Sequence, residues 1–103
     1  MKLGFYRYNA TKVRKRRKLT AAEFDIVLYV SERDSATKYD IQKYIFASHK
    51  TITDSLMHLV DEGFLKIIRE SKGRAGISRL YRVGVKGRHM ISDFYTLMES
   101  PVI

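Results

Sequence analysis

The residues best suited to chemistry in this chain are cations, and their spacing suits the binding of a polyanion. Lys2, Arg7, Lys12, Arg14, Lys15, Arg16, Arg17 and Lys18 crowd into residues 1–18, which contain no acid. A second set, Lys66, Arg69, Lys72, Arg74, Arg79, Arg82, Lys86 and Arg88, runs through residues 64–88 against Glu70 alone. Lys and Arg together number 20 against 11 acids, a net charge of +9, and residues 19–63 hold most of the acids. One such cluster would read as a solvated face that keeps a small protein in solution. Two of them, flanking a helical middle, are the electrostatic footprint of a nucleic-acid binder.

Catalysis finds no comparable pattern. The histidines are His49, His58 and His89, and none falls in a metal-ligand spacing such as HExxH. Asp61 and Glu62 adjoin a helix end and read as solvating charges rather than an acid–base pair. Gly73 and Gly76 suit a hairpin better than a phosphate-cradling loop. There is no cysteine, which removes disulfides, zinc knuckles and thiol nucleophiles. The expectation is a non-enzyme with no catalytic residue, no metal and no cofactor. A length of 103 residues allows one core, and 45% hydrophobic with 30% charged residues is globular composition. No apolar run is long enough for a signal peptide or a bilayer span, so the chain reads as soluble and cytoplasmic.

The elements that must position these cations can be read from caps and periods. Residues 1–18 show no helical period: Leu3, Phe5, Tyr6 and Tyr8 suggest a short strand, with residues 12–18 trailing as a basic arm. Residues 19–103 then form the domain. Thr20 with Glu23 is a capping box, and Phe24, Val27, Leu28 and Ser31 follow on one helical face to about Arg33. Ile26, Tyr29 and Val30 make that helix apolar on other sides too, so it must touch a further element. Thr37 with Asp40 starts a second helix, buried through Ile41 and Ile45 and ending at Ala47. Ser48 caps a third at once, with Ile52, Leu56, Leu59 and Val60 in its stripe. Gly63 supplies the left-handed residue that ends it.

Beyond Gly63 the period becomes extended. Residues 64–70 and 77–83 read as strands joined by a cationic loop over 71–76, that is, a β-hairpin with a basic tip. Arg69, Arg79 and Arg82 on its strands read as one continuous basic strip. A last helix follows Gly84, with Ile91, Phe94 and Met98 in a stripe and Pro101 just past its end. Tyr6, Tyr8, Tyr29 and Tyr39 could line a small-molecule effector pocket, although core packing explains them as well.

Three helices, a basic hairpin and a closing helix resemble winged helix-turn-helix regulators of the MarR and PadR families. The resemblance is carried by residues 51–65 (TITDSLMHLVDEGFL), similar to a recognition helix ending in leucine, polar residues, glycine and an aliphatic residue. Residues 80–88 (LYRVGVKGR) look like a second wing strand running into the final helix, and residues 38–41 (KYDI) resemble the opening of the second helix in PadR proteins. The match spans roughly residues 19–98. It departs in three ways: Gly84 stands where threonine is usual, which weakens the start of the last helix; the wing lacks the aspartate-x-arginine pair common in MarR proteins; and the chain is short for MarR, which makes short PadR-type members the better comparison.

The resemblance implies an α+β winged-helix fold: a three-helix core, a two-stranded β-hairpin wing and a C-terminal helix. It also implies binding to double-stranded DNA as a homodimer, in a transcriptional regulator that is a repressor by preference. In that setting the third helix enters the major groove and offers His49, Lys50, Thr51, Thr53 and Asp54, with Met57 beside them. Lys72, Arg74 and Arg79 would serve in the wing, and Arg14, Arg16 and Arg17 in the arm. Two alternatives stay open: a non-regulatory DNA-binding protein of a mobile element or virus, and a winged helix used for protein interaction.

Overall fold

A computed structural model describes residues 3–99, without the side chain of Leu3, so Lys2, the proposed packing of Leu3 and the stop at Pro101 lie outside the described residues. Eight elements follow one another: α1 (Leu3–Arg16), α2 (Ala21–Arg33), β1 (Ala36–Thr37), α3 (Lys38–Tyr44), α4 (His49–Asp61), β2 (Leu65–Gly73), β3 (Gly76–Val83) and α5 (Val85–Glu99). The caps stand where the sequence places them. Thr20 and Glu23 form a full capping box at α2, Thr37 and Asp40 another at α3, and the Ser48 hydroxyl accepts the Thr51 amide at α4. Gly63 has φ +87° just past α4. The backbone and side-chain hydrogen bonds of Thr37 hold the Asp40 carboxyl below the usual carboxylate range. The cap therefore stabilises α3 fully above that range and loses its contribution as pH falls through the lowered value.

The N-terminal segment corrects the sequence reading. It is a helix, not a strand, and residues 12–16 of the basic arm belong to it. Tyr6, Ala10 and Val13 recur at helical spacing, but Asn9 occupies a core position and hides the period. Asn9 is buried, and its Nδ2 donates to the Phe5 carbonyl at 3.0 Å and faces Met98 Sδ at 3.5 Å. Tyr6 meets Phe94 edge-on at 5.2 Å, so α1 lies against α5. That contact answers why α2 is apolar on several sides. Phe24, Ile26, Val27 and Val30 are all fully buried, and Phe24 meets Phe94 at 5.2 Å. Each such side chain contributes about 1.5–3 kcal/mol. α1 ends without glycine: Lys18 takes φ +58° and the Leu19 amide donates to the Arg14 carbonyl.

Smaller differences follow from local backbone bonding. α3 stops at Tyr44 rather than Ala47, because Ile45 turns to extended backbone. The two-residue β1 pairs with β3, so the sheet has three strands in the order β1-β3-β2. The wing strands run on to Gly73 and Gly76, which pair, leaving Arg74 and Ala75 as the tip. Gly84 proves to be required rather than a weakness. A Cβ there would sit 2.5 Å from the Gly63 carbonyl oxygen, and the Gly84 amide donates to the Phe64 carbonyl at 2.9 Å. The Lys86 amide donates to Gly63, so the start of α5 is capped by the turn beneath it.

One buried carboxylate links two helices. Glu23, 6% exposed, accepts the Thr20 amide on Oε1 and lies 2.5 Å from His58 Nδ1 through Oε2. A carboxylate only accepts, so His58 holds its proton on Nδ1. His58→Ala is expected to cost about 1 kcal/mol, the low end for an orphaned buried acceptor, because the half-exposed His58 site lets water in part replace the ring. A urea melt unchanged from the parent chain would contradict this tie.

Candidate nucleic-acid interface

α4 is amphipathic. Ile52, Ser55, Leu56 and Leu59 are buried, while His49, Lys50, Thr51, Asp54, Met57 and His58 are exposed. Its N-terminal turn is held from beneath. Lys38 Nζ lies 3.3 Å from His49 Nε2, and the Gln42 side-chain amide 2.7 Å from His49 Nδ1. Both neighbours present nitrogen donors, and a neutral ring has one acceptor nitrogen, so Lys38 and Gln42 compete for it. Lys50 donates to Asp54 at 2.7 Å, which raises the lysine pKa through the hydrogen bond and the adjacent charge. Thr51 Oγ1 accepts from the Ser48 hydroxyl at 2.9 Å. Thr53 donates back to the His49 carbonyl at 2.9 Å, so its methyl and a lone pair remain for other contacts.

The wing projects from the body, and residues 66–79 are exposed along both strands. Strand period and a bulge decide which cations share a face. Ile67 pairs with Tyr81 but Arg69 with Leu80, so Ile68 is an extra residue in β2. The insertion puts Glu70 and Lys72 on the face of Tyr81, Arg79 and Ile77, and puts Lys66, Arg69 and Arg82 on the other. The continuous strip of Arg69, Arg79 and Arg82 is therefore not formed: Arg79 points the opposite way. Arg79 also has an acidic partner, since its Nε donates to Glu70 Oε2 at 2.6 Å across the strands. The pair braces the wing from a position that the missing aspartate-x-arginine pattern does not reveal. Arg82 instead reaches Asp34 at 3.1 Å.

A groove separates α4 from the wing. Lys38, Thr53, Met57, Ile67, Arg79 and Tyr81 are among the residues that line it. Of the sequence-predicted residues, Thr53 and Arg79 meet here. His49, Lys50, Thr51 and Asp54 stand exposed at the start of α4, and Lys72 and Arg74 at the wing tip, neither of the latter ion-paired among the described residues. Lys38 was missed as a site residue. No cap or period marks it, because its place beside His49 depends on how α3 lies against α4.

The N-terminal cations divide differently. Arg14 donates to the Leu19 carbonyl at 3.2 Å, and Arg17 to the Val13 carbonyl and to Asp93 on α5, so both hold the α1 end to the body. Arg16 is exposed. The four tyrosines do not converge on one pocket: Tyr6 packs on Phe94, Tyr8 is exposed on α1, Tyr29 stacks on Tyr44 and Tyr39 lies under Lys43. Among the described residues no cluster of His, Asp or Glu could hold a metal ion, and no helix is long and apolar enough to cross a membrane.

No family model and no curated protein matches the sequence. Solved structures do match the fold. A mutant MarR from E. coli complexed with operator DNA superposes with a TM-score of 0.70 at 16% identity, over 89% of this chain and 64% of that one. A transcriptional regulator from Thermotoga maritima gives 0.76 at 18% identity, over 91% and 65%. A mutant MepR from S. aureus bound to an oligodeoxyribonucleotide gives 0.72 at 12% identity, over 91% and 68%. This chain thus spans about two thirds of the length of those proteins, and it has the winged-helix fold that the sequence order predicts.

Proposed function

We propose that this chain is a sequence-specific regulator of transcription that binds double-stranded DNA as a homodimer and represses by occupying its site. The observation that carries the reading is the groove between α4 and the base of the wing, with the start of α4 exposed and Lys72 and Arg74 exposed at the far end of the same hairpin. Phosphate contacts from Lys72, Arg74 and Arg16 would give grip, and His49, Lys50, Thr51, Thr53 and Asp54 would read base edges. Arg79 would act from the groove wall, while Arg14 and Arg17 fix the helix that carries Arg16. The likeness to proteins solved with operator DNA or an oligodeoxyribonucleotide supports this use of the fold. The exposed Tyr8 side of α1, with Gly4, Arg7, Thr11 and Lys12, offers a surface for a second copy.

Capture of genomic fragments by the purified chain, followed by sequencing, tests the reading. A two-fold dimer should enrich a palindrome with half-sites about 10 base pairs, roughly 34 Å, apart. Capture without an enriched motif would favour a non-regulatory DNA-binding role, and no capture a protein-interaction module. Thr51→Ala with Thr53→Ala should change the enriched motif. Uniform weakening on all sequences would argue against base reading by either threonine.

A further inference from the structure

Phe46 is the most exposed large apolar side chain in the molecule's described part, at 107% of its reference surface. It stands in the turn between α3 and α4, two residues before the Ser48 cap, and nothing in the fold uses it. The backbone there is fixed: the Ala47 amide donates to the Ile45 carbonyl at 3.0 Å, and half-buried Ile45 packs on the core. An exposed aromatic ring on a fixed turn has an unfavourable hydration that a binding partner can relieve. The charges around it select the partner. Lys43 precedes it by three residues and Lys50 follows by four, with Lys38 and His49 joined beside the start of α4. The nearest acids, Asp40 and Asp54, are engaged by the Thr37 amide and by Lys50. An aromatic ring just ahead of the Ser48 cap, with Lys43 and Lys50 near it in sequence, stands at the end of α4 that the DNA-binding reading lays in the major groove, so a duplex is the partner it would meet.

We infer that Phe46 is a specificity-determining residue that packs its ring on thymine C5-methyl groups at the major-groove edge of the bound site. The inference rests on the DNA-binding reading above and adds a residue and a base to it. Thymine is the one base that presents a methyl group there, and an apolar side chain is its complement. Thr51 and Thr53 compete for hydrogen-bonding edges, whereas Phe46 can only offer apolar contact.

The test uses the full chain and a duplex selected from a randomised pool, with a random duplex of equal length as control. Replacing each thymine of the selected site by deoxyuridine removes one methyl at a time. At one or two positions the parent chain should lose about fourfold in affinity, the worth of one buried methyl. Phe46→Ala should bind the selected site less tightly, should be indifferent to uridine at those same positions, and should bind random duplex as the parent does. Phe46→Leu should restore part of the methyl dependence. Because the ring touches no core residue, equal thermal melts of parent and variants are expected and exclude misfolding. Equal sensitivity of parent and Phe46→Ala to uridine overturns the inference, as does an equal loss on selected and random duplexes. No duplex binding by the parent chain overturns the DNA reading and this inference together, an outcome distinct from either.

Discussion

Alanine at both Lys72 and Arg74 is expected to lower duplex affinity about 10- to 100-fold near 0.1 M salt, equally on every sequence. Each phosphate neutralised by a side chain releases close to one condensed counterion, so two lost contacts should flatten the slope of log affinity against log salt by about 2. The magnitude depends on the cations being free. Lys72 and Arg74 are exposed and unpaired among the described residues, whereas Arg79 already spends its charge on Glu70. Arg79→Ala should therefore lose less than the tip pair. Binding measured at four or five salt concentrations decides the matter, and a slope unchanged by the double substitution would remove the wing tip from the contact surface.

Gly87→Ala is the substitution expected to damage the fold most. Alanine ordinarily stabilises a helix interior by about 1 kcal/mol over glycine. Here the added Cβ would lie 2.3 Å from the Phe64 carbonyl oxygen and 2.6 Å from Val83 Cγ1. One obstacle is backbone and the other is a buried β-branched side chain, so neither can turn aside. An overpacking cost of about 3 kcal/mol outweighs the helical gain and leaves a net loss near 2 kcal/mol. For a domain of this size that corresponds to a fall in Tm of about 8–16 °C. α5 would have to lift from the start of β2, taking the base of the wing with it. A variant that melts with the parent would mean that α5 and β2 do not approach so closely.

The parts of the fold legible in the sequence are those fixed by local chemistry. Thr20 with Glu23, Thr37 with Asp40, Ser48 and Gly63 mark helix ends because their side chains or dihedrals satisfy backbone groups within four residues. The exposed face of α4 follows from the spacing of Ile52, Leu56 and Leu59. What stayed hidden depends on distant partners. Asn9 can occupy the core stripe of α1 because its amide faces Met98 on α5, and an asparagine there imitates a break in the pattern. The bulge at Ile68 reverses the facing of Glu70 and Lys72, yet an extra isoleucine in a β-rich run leaves no trace. Arg17 reads as a DNA ligand by composition, and its bond to Asp93 emerges only when α1 is laid on α5.

The same distinction orders the candidate site. Residue types and exposure were readable for His49, Lys50, Thr51, Asp54, Lys72 and Arg74, all of which lie on the surface. Pairing was not, and pairing decides how much charge each can offer a phosphate. Lys50 shares its charge with Asp54, and releasing it is a cost that a matching base or phosphate must exceed.

Competition between a selected duplex and random duplex of equal length, at two salt concentrations, tests the central claim most directly. The account predicts a preference of about a thousandfold or more for the selected site, with affinity for both falling steeply as salt rises. Equal affinity for the two duplexes, or binding indifferent to salt, would contradict it.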